Sequence, residues 1–485
     1  MNSAIDAAPV DAGSANPFLH PRRSYAEFLA SKASDDPMTG LTDIPDLPAE
    51  LFPFQRDIVA WALRRGRAAL LAGTGLGKSL MELAWGQAVA EATGGMVLLF
   101  APLAVATQML REAAKFGIPA RLVATQAECG PGINITNYQK LEHFDLRLFI
   151  GVILDESSIL KSTTGHYRSA LIAACAQIPF RLAATATPAP NDFMELGNHA
   201  EFLGAMSYTD MLATFFAHDG GSTQNWRLKG HAESAFWAWM ASWAVMLRKP
   251  SDLGYSDEGY DLPPLHYHQH DVEVSHVSSM ETGLLFPMPA VTLSERIAAR
   301  RDSVEERVER AISVTLNSDT PFVWWCNLNS EADLLAKGIP DAVNLHGSLT
   351  DTQKEKILID FSEGRIKDLI TKPSLAGFGM NWQHCADTGF VGLNDSWEQF
   401  YQAIRRFWRF GQTRPVNAHL IVAETEGATV ANLRRKEADA DRMAANMVAH
   451  MADLSSAHVR GAARTVATYA PRQPITLPSF LKAAS

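Results

Sequence analysis

The octapeptide Ala72-Gly73-Thr74-Gly75-Leu76-Gly77-Lys78-Ser79 constrains this chain more than any other stretch. It follows an apolar run at 68–72 and leads into a helical pattern that opens near Lys78. Glycines spaced this way between a strand and a helix let backbone N–H groups converge on a phosphate, where any side chain would block the approach. In such a loop Gly73, Thr74, Gly75, Leu76 and Gly77 form the cradle, Lys78 reaches the β and γ phosphates of ATP, and Ser79 ligates Mg²⁺. The strict pattern has glycine at position 72, where this chain has alanine, but Gly77-Lys78-Ser79 is intact. The loop therefore demands an α/β unit with a parallel strand feeding a helix.

The surrounding sequence meets that demand. Short apolar runs alternate with longer helical patterns, and strands are expected at 68–72, 96–101, 151–154 and 181–185. A second alternating set follows at 321–326, 342–345, 368–371, 388–393 and 418–422, so two α/β lobes are predicted, each a mostly parallel sheet with flanking helices. Between them lies an aromatic, mostly helical stretch with Trp226, Trp237, Trp239 and Trp243, read as the packing core of a helical insertion. The expected organisation is a mobile arm at 1–45, a first lobe at 46–204, the insertion and linker at 205–261, a second lobe at 262–450 and a weakly basic tail at 451–485. At 485 residues the chain exceeds what one hydrophobic core usually supports, which agrees with several domains.

Composition bounds the setting. The four cysteines stand singly, without the paired spacing of a zinc site or a disulfide framework, which fits a reducing cytoplasm. No run of about 18 apolar residues occurs, so no membrane partner is expected. A net charge of −10 excludes a basic coat, although a nucleic-acid track needs only a local groove of donors.

Two further constellations carry chemistry. Asp155 and Glu156 follow the apolar run 151–154, and a carboxylate at the end of a parallel strand beside the phosphate loop is placed to hold Mg²⁺ while its neighbour orients water. Far downstream, Gln402, Arg406 and Arg409 present a spaced arginine pair whose planar guanidinium groups can neutralise charge on a transferring phosphoryl group.

Taken in order, these motifs resemble superfamily 2 helicases, and Thr185-Ala186-Thr187-Pro188 with Asn191, Glu195-Leu196 and Phe202-Leu203 is similar to the pattern after motif III in Swi/Snf-type ATPases. Gln55 resembles the glutamine that reads adenine, and Pro102 with Asn137-Tyr138 looks like motifs Ia and Ib. In the second half, His346 lies in a segment similar to the motif after the fourth, Gly379 and Asn381 in one similar to motif V, and Gln402, Arg406 and Arg409 in one similar to motif VI. Ser157-Ser158 and Thr371-Lys372 depart from the family pattern at positions that couple hydrolysis to movement.

The resemblance implies two RecA-like lobes closing on ATP and Mg²⁺ in the cytoplasm of a bacterial or virus-infected cell, near the nucleoid. It implies double-stranded DNA as partner, held at Pro102, Asn137, Tyr138, His346, Lys372 and Asn381, with single-stranded DNA or RNA as alternatives. Asp155, Glu156, Lys78, Gln402, Arg406 and Arg409 are the implied catalytic set. Two rivals stand beside the duplex translocase: a strand-separating helicase and a scaffold that binds nucleic acid without hydrolysis. His266, His268 and His270 alternate along one strand face and are read as the start of the second sheet before a metal site. The segment 295–310, with equal numbers of acids and bases, is read as a solvated helix.

Overall fold

A computed structural model describes residues 39–161, 166–189, 192–218, 226–273, 301, 303–376, 381–393, 396–424 and 427–459. The expected arm before residue 39, the tail beyond 459, Asn191 and Gly379 lie outside the described residues.

In the first half the elements run α1 (Pro53–Arg65), β1 (Arg67–Ala72), α2 (Lys78–Thr93), β2 (Met96–Ala101), α3 (Leu103–Lys115), β3 (Ala120–Leu122), β4 (Gly132–Asn137), β5 (Gly151–Asp155), α4 (His166–Cys175), β6 (Phe180–Thr185), α5 (Leu196–Leu203) and α6 (Tyr208–Phe215). The hairpin β7 (Phe216–His218) and β8 (Trp226–Leu228), helix α7 (Glu233–Trp243) and strand β9 (Ala244–Leu247) follow. Seven parallel strands pair in the order β3-β4-β2-β5-β6-β1-β9. Strands such as β1 and β6 are buried along their length, which is why they read as unbroken apolar runs rather than as alternating ones.

The position of β9 corrects the expected boundaries. It pairs with β1, so the chain returns to the first sheet after the aromatic stretch, and lobe 1 extends beyond residue 204 to at least Leu247. Trp237 and Trp243 are buried in the core on that face with Phe202, Phe236 and Met240. The tryptophans pack as predicted, but they cover the sheet rather than form a separate body.

The second sheet collects β10 (Leu265–Val272), β11 (Phe322–Cys326), β12 (Val343–Asn344), β13 (Asp368–Thr371), β14 (Asp387–Val391) and β15 (Val416–Ala423) in the order β10-β15-β14-β11-β13-β12, all parallel. Its helices are α8 (Val304–Leu316), α9 (Asn329–Gly338), α10 (Asp351–Ser362), α11 (Pro373–Ala376) and α12 (Trp397–Ile404). Thr350 caps α10 in reciprocal bonding with Gln353, a pairing that fixes the helix start. Helix α8 is not wholly solvated, because Arg307 is fully buried and donates to Glu331 at 2.8 Å. The histidine face on β10 is a strand face as read, with His270 Nε2 3.0 Å from His419 Nδ1, and among the described residues no cluster suits a metal.

Helix α13 (Gly427–Val459) then joins the two lobes. Val430 and Leu433 pack in the second lobe, whereas Met447 and Met451 enter the aromatic core of the first. Arg248 pairs with Asp441 at 3.1 Å along its path. The boundary expected at residue 450 therefore falls inside one continuous helix.

Candidate functional site

The loop between β1 and α2 has the backbone that its glycines predict. Gly75 and Gly77 adopt φ of 85° and 77°, and these left-handed values favour glycine. A Cβ at Gly75 would sit 2.9 Å from the Phe410 nitrogen, so the second lobe approaches the loop there. Helix α2 begins with neither a side-chain cap nor an acid in its first turn, leaving its leading N–H groups for an anion. Lys78 Nζ donates to the carbonyls of Ala72 at 2.9 Å and Gly73 at 3.3 Å.

Strand β5 delivers Asp155 beside this loop. Burial, and then the adjacent Glu156, push the Asp155 carboxyl up to about 7, with Lys78 opposing. Glu156 has φ of 51°, a conformation costing a non-glycine residue ~1 kcal/mol or more, which the neighbouring structure must hold. Part of that support is visible: the Ser157 hydroxyl and His199 Nε2 lie 3.1 Å apart in a fully buried pair, and the Tyr138 hydroxyl donates to the Asp155 carbonyl at 2.6 Å. Glu82, one helical turn beyond Lys78, is also fully buried, and burial and Asp155 raise its carboxyl well above the usual range.

From the other lobe, Arg406 is buried after α12, donating through Nε to the Gln402 carbonyl at 3.0 Å and through Nη2 to its Oε1 at 3.1 Å. Burial and then Arg409 lower the Arg406 guanidinium to about 9, while Glu156 and Asp155 act the other way. The arginines therefore sit within the field of the acid pair. Lys78, Ser79, Asp155, Glu156, Arg406 and Arg409 line one cavity of 380 Å³, together with Gln55, Thr74, Gly75 and Gly77.

Three expected members of the nucleotide set stand elsewhere. Gln402 is fully buried outside that lining, and its Oε1 accepts from Arg406 Nη2. Gly73 faces the rear, its N–H bonded to the Leu247 carbonyl at 2.9 Å. Leu76 is buried in the core and contributes its carbonyl to Gln55.

A larger cleft of 640 Å³ runs between the lobes and shares Glu156 with the first cavity. Pro102, Asn137 and Tyr138 line it from lobe 1, with Arg111, Lys140 and Lys161. Tyr138 is almost wholly buried, stacked on Phe100 with its hydroxyl donating to the Asp155 carbonyl, so it braces the acid strand. On the lobe 2 side, Leu345, Lys354 and Ser374 line the cleft, and His346, Lys372 and Asn381 do not. Among the described residues, ion pairs cross the cleft between Arg111 and Glu355, at 3.2 Å, and between Lys161 and Glu398.

The residues fit a nucleotide with a divalent cation. Ser79 and Asp155 offer the hard oxygen ligands that Mg²⁺ takes, and burial keeps the Asp155 and Glu82 carboxyls well above the usual carboxylate range, a cost that a bound cation would offset. Sequence reasoning missed Glu82, His199, Tyr260 and Phe410, since a lone acid or aromatic on an ordinary helix or turn carries no spacing signal.

Fold and site define a protein of two α/β lobes, with a glycine-rich strand-to-helix loop in one lobe and an arginine pair in the other. Residues 305–411 match the family described as helicase conserved C-terminal domain, a span containing the motifs from Leu345 to Gly411. Among curated proteins, none matches the sequence. The SWI2/SNF2 ATPase core of Sulfolobus solfataricus, solved with double-stranded DNA, is similar at 18% identity and a TM-score of 0.39, over 87% of this chain and 98% of that one. The ATP-dependent Type ISP restriction-modification enzyme LlaBIII, solved bound to DNA, is similar at 13% identity and a TM-score of 0.48, over 80% of this chain and 30% of that one. Both scores lie below 0.5, so the two-lobed fold rests on the chain's own two parallel sheets. Among the described residues no helix is long and apolar enough to cross a membrane.

Proposed function

We propose that this protein is an ATP-dependent nucleic-acid motor that translocates on double-stranded DNA. The observation that carries the reading is the cavity lined by Lys78, Ser79, Asp155 and Glu156 from one lobe and Arg406 and Arg409 from the other. A triphosphate there touches both lobes, so its cleavage changes the force between them.

Each residue has a definite task. Lys78 exchanges its two loop carbonyls for phosphate oxygens, while the Gly75 and Gly77 backbone and the α2 N-terminus receive the remaining negative charge. Ser79 and Asp155 would hold Mg²⁺, which when bound neutralises charge on the phosphates. Glu156 orients and accepts a proton from the attacking water, and Arg406 and Arg409 stabilise charge on the transferring group. Glu156 also lines the larger cleft, so a track lodged there is one side chain away from the reacting centre. Backbone phosphates compete with Glu355 and Glu398 for Arg111 and Lys161, which gives weak sequence preference and strong salt dependence.

The test is the phosphate-release rate with no nucleic acid, duplex DNA, single-stranded DNA and RNA, for wild type and Lys78→Ala. Duplex alone should stimulate the wild type, and the variant should remain at background. Equal stimulation by RNA would overturn the choice of track, and displacement of a strand as efficient as displacement of a triplex would favour a helicase. Absence of phosphate release under every condition would leave the scaffold reading.

A further inference from the structure

A separate chamber of 90 Å³ lies at the rear of the phosphate loop, where Gly73 turns away from the nucleotide cavity. Thr74 lines both spaces, so they share one residue of the loop. Thr187, just past β6, and Arg248, just past β9, continue the lobe 1 wall. Trp397 and Tyr401 on α12, with Arg405 directly after it, form the lobe 2 wall, and Asp441 of α13 closes the chamber.

The groups around this chamber are mostly donors that lack an acceptor. Thr74 Oγ1, Thr187 Oγ1 and Trp397 Nε1 are buried, and among the described residues none has a hydrogen-bond partner. Groups left so cost free energy until a ligand or water satisfies them. The Arg405 guanidinium carbon lies 4.9 Å from the Tyr401 ring centroid and 4.3 Å from that of Trp408. Stacking occupies the faces of the guanidinium plane and leaves its in-plane N–H groups for an acceptor. Glu437 acts on Arg405 through its field, but its carboxylate already accepts from the Tyr267 hydroxyl at 3.0 Å. Asp441 is paired with Arg248 at 3.1 Å. One cation is therefore neutralised and the other is not, and two hydroxyls and an indole N–H stand beside them. That set suits a small oxyanion, which accepts from every group and carries the opposite charge.

We propose that this chamber is a second oxyanion site, which receives inorganic phosphate after cleavage and holds it on its way out of the protein. The proposal rests on the reading of the 380 Å³ cavity as a nucleoside triphosphate site. Cleavage there frees the phosphate at the inner end, with the diphosphate still bound in front of it. The shared Thr74 gives the phosphate a neighbour on the far side of the loop, and Arg405 supplies the charge that draws it there. Because Asp441 and Arg248 pair across the chamber, α13 and lobe 1 meet at the point where the product would leave.

The experiment measures equilibrium dialysis of radiolabelled orthophosphate against wild type, Arg405→Gln and Trp397→Phe. Each protein is first saturated with Mg²⁺ and the β,γ-imido analogue of ATP, so that the terminal phosphate position is already filled. Wild type should still bind orthophosphate. Arg405→Gln should weaken that binding by about tenfold or more, the size of one hydrogen bond to a charged group. Trp397→Phe keeps the ring and loses only the N–H, and should weaken it several-fold. The analogue itself should bind all three proteins alike, which also reports that the variants are folded. In a single turnover of ATP, Arg405→Gln should leave cleavage, followed by acid quench, unchanged and lengthen the delay before phosphate reaches a fluorescent phosphate sensor. Absence of orthophosphate binding beside the analogue, or equal affinity in wild type and both variants, would overturn the proposal. Failure of the wild type to bind the analogue would instead overturn the reading of the larger cavity, a result distinct from binding of the analogue without orthophosphate.

Discussion

Protonation of His199 should control the acid stability of the first lobe. Its imidazole is fully buried, bonded through Nε2 to the Ser157 hydroxyl, and burial lowers it from 6.5 to about 4. The folded chain thus refuses a proton that the unfolded chain accepts. The stabilisation is complete above pH 6.5 and is lost as the pH falls toward 4. Each pH unit inside that window is worth about 1.4 kcal/mol, so lowering the pH from 7.5 to 5.0 removes about 2 kcal/mol through this residue alone. The Asp155 carboxyl, raised to about 7, titrates in the opposite sense but is shared by wild type and variant, so a comparison isolates His199. The assay is urea denaturation followed by tryptophan fluorescence, for wild type and His199→Gln, at pH 7.5, 6.5, 5.5 and 5.0. The gap in unfolding free energy should narrow by about 2 kcal/mol across the series. Parallel profiles would refute the reasoning and place His199 in contact with water.

Other perturbations separate the roles assigned above. Arg406→Ala should lower the hydrolysis rate ~10³-fold while lobe 1 still binds nucleotide, checked by single-turnover phosphate release beside nucleotide titration. Glu331→Ala removes the carboxylate that holds the fully buried Arg307 and should cost about 3–5 kcal/mol in denaturation. Trp237→Ala opens the aromatic face of the first sheet and should cost about 3–5 kcal/mol, with earlier release of α13, whose His450 stacks on that indole, seen by limited proteolysis. Glu398→Gln releases Lys161 from its ion pair and should tighten duplex DNA binding, with the salt slope steeper by about one phosphate contact.

How much of this was legible beforehand follows from how far each signal reaches along the chain. The phosphate loop and the acid pair are local: a strand, a turn and a helix are contiguous, and the sequence alone placed Lys78, Ser79, Asp155 and Glu156 correctly relative to their own elements. The buried strands were equally legible, because parallel strands covered on both faces leave continuous apolar runs, and 96–101 and 368–371 coincide with β2 and β13. Short strands at the sheet's flank, such as β3 with its half-exposed residues, carry too little apolar signal and were missed.

Tertiary structure decided everything that depends on which distant groups face each other. It returned β9 to the first sheet, carried α13 from one lobe to the other, and bonded Tyr138 to the Asp155 carbonyl and Gln402 to Arg406. It also brought Phe52, Tyr260 and Phe410 together in the cavity lining and bonded Gln55 to the Phe52 N–H and the Leu76 carbonyl. The physical reason is burial. A side chain's residue type fixes what it can donate, accept or stack against, but only the packed neighbours fix whether that capacity is already satisfied or left for a ligand.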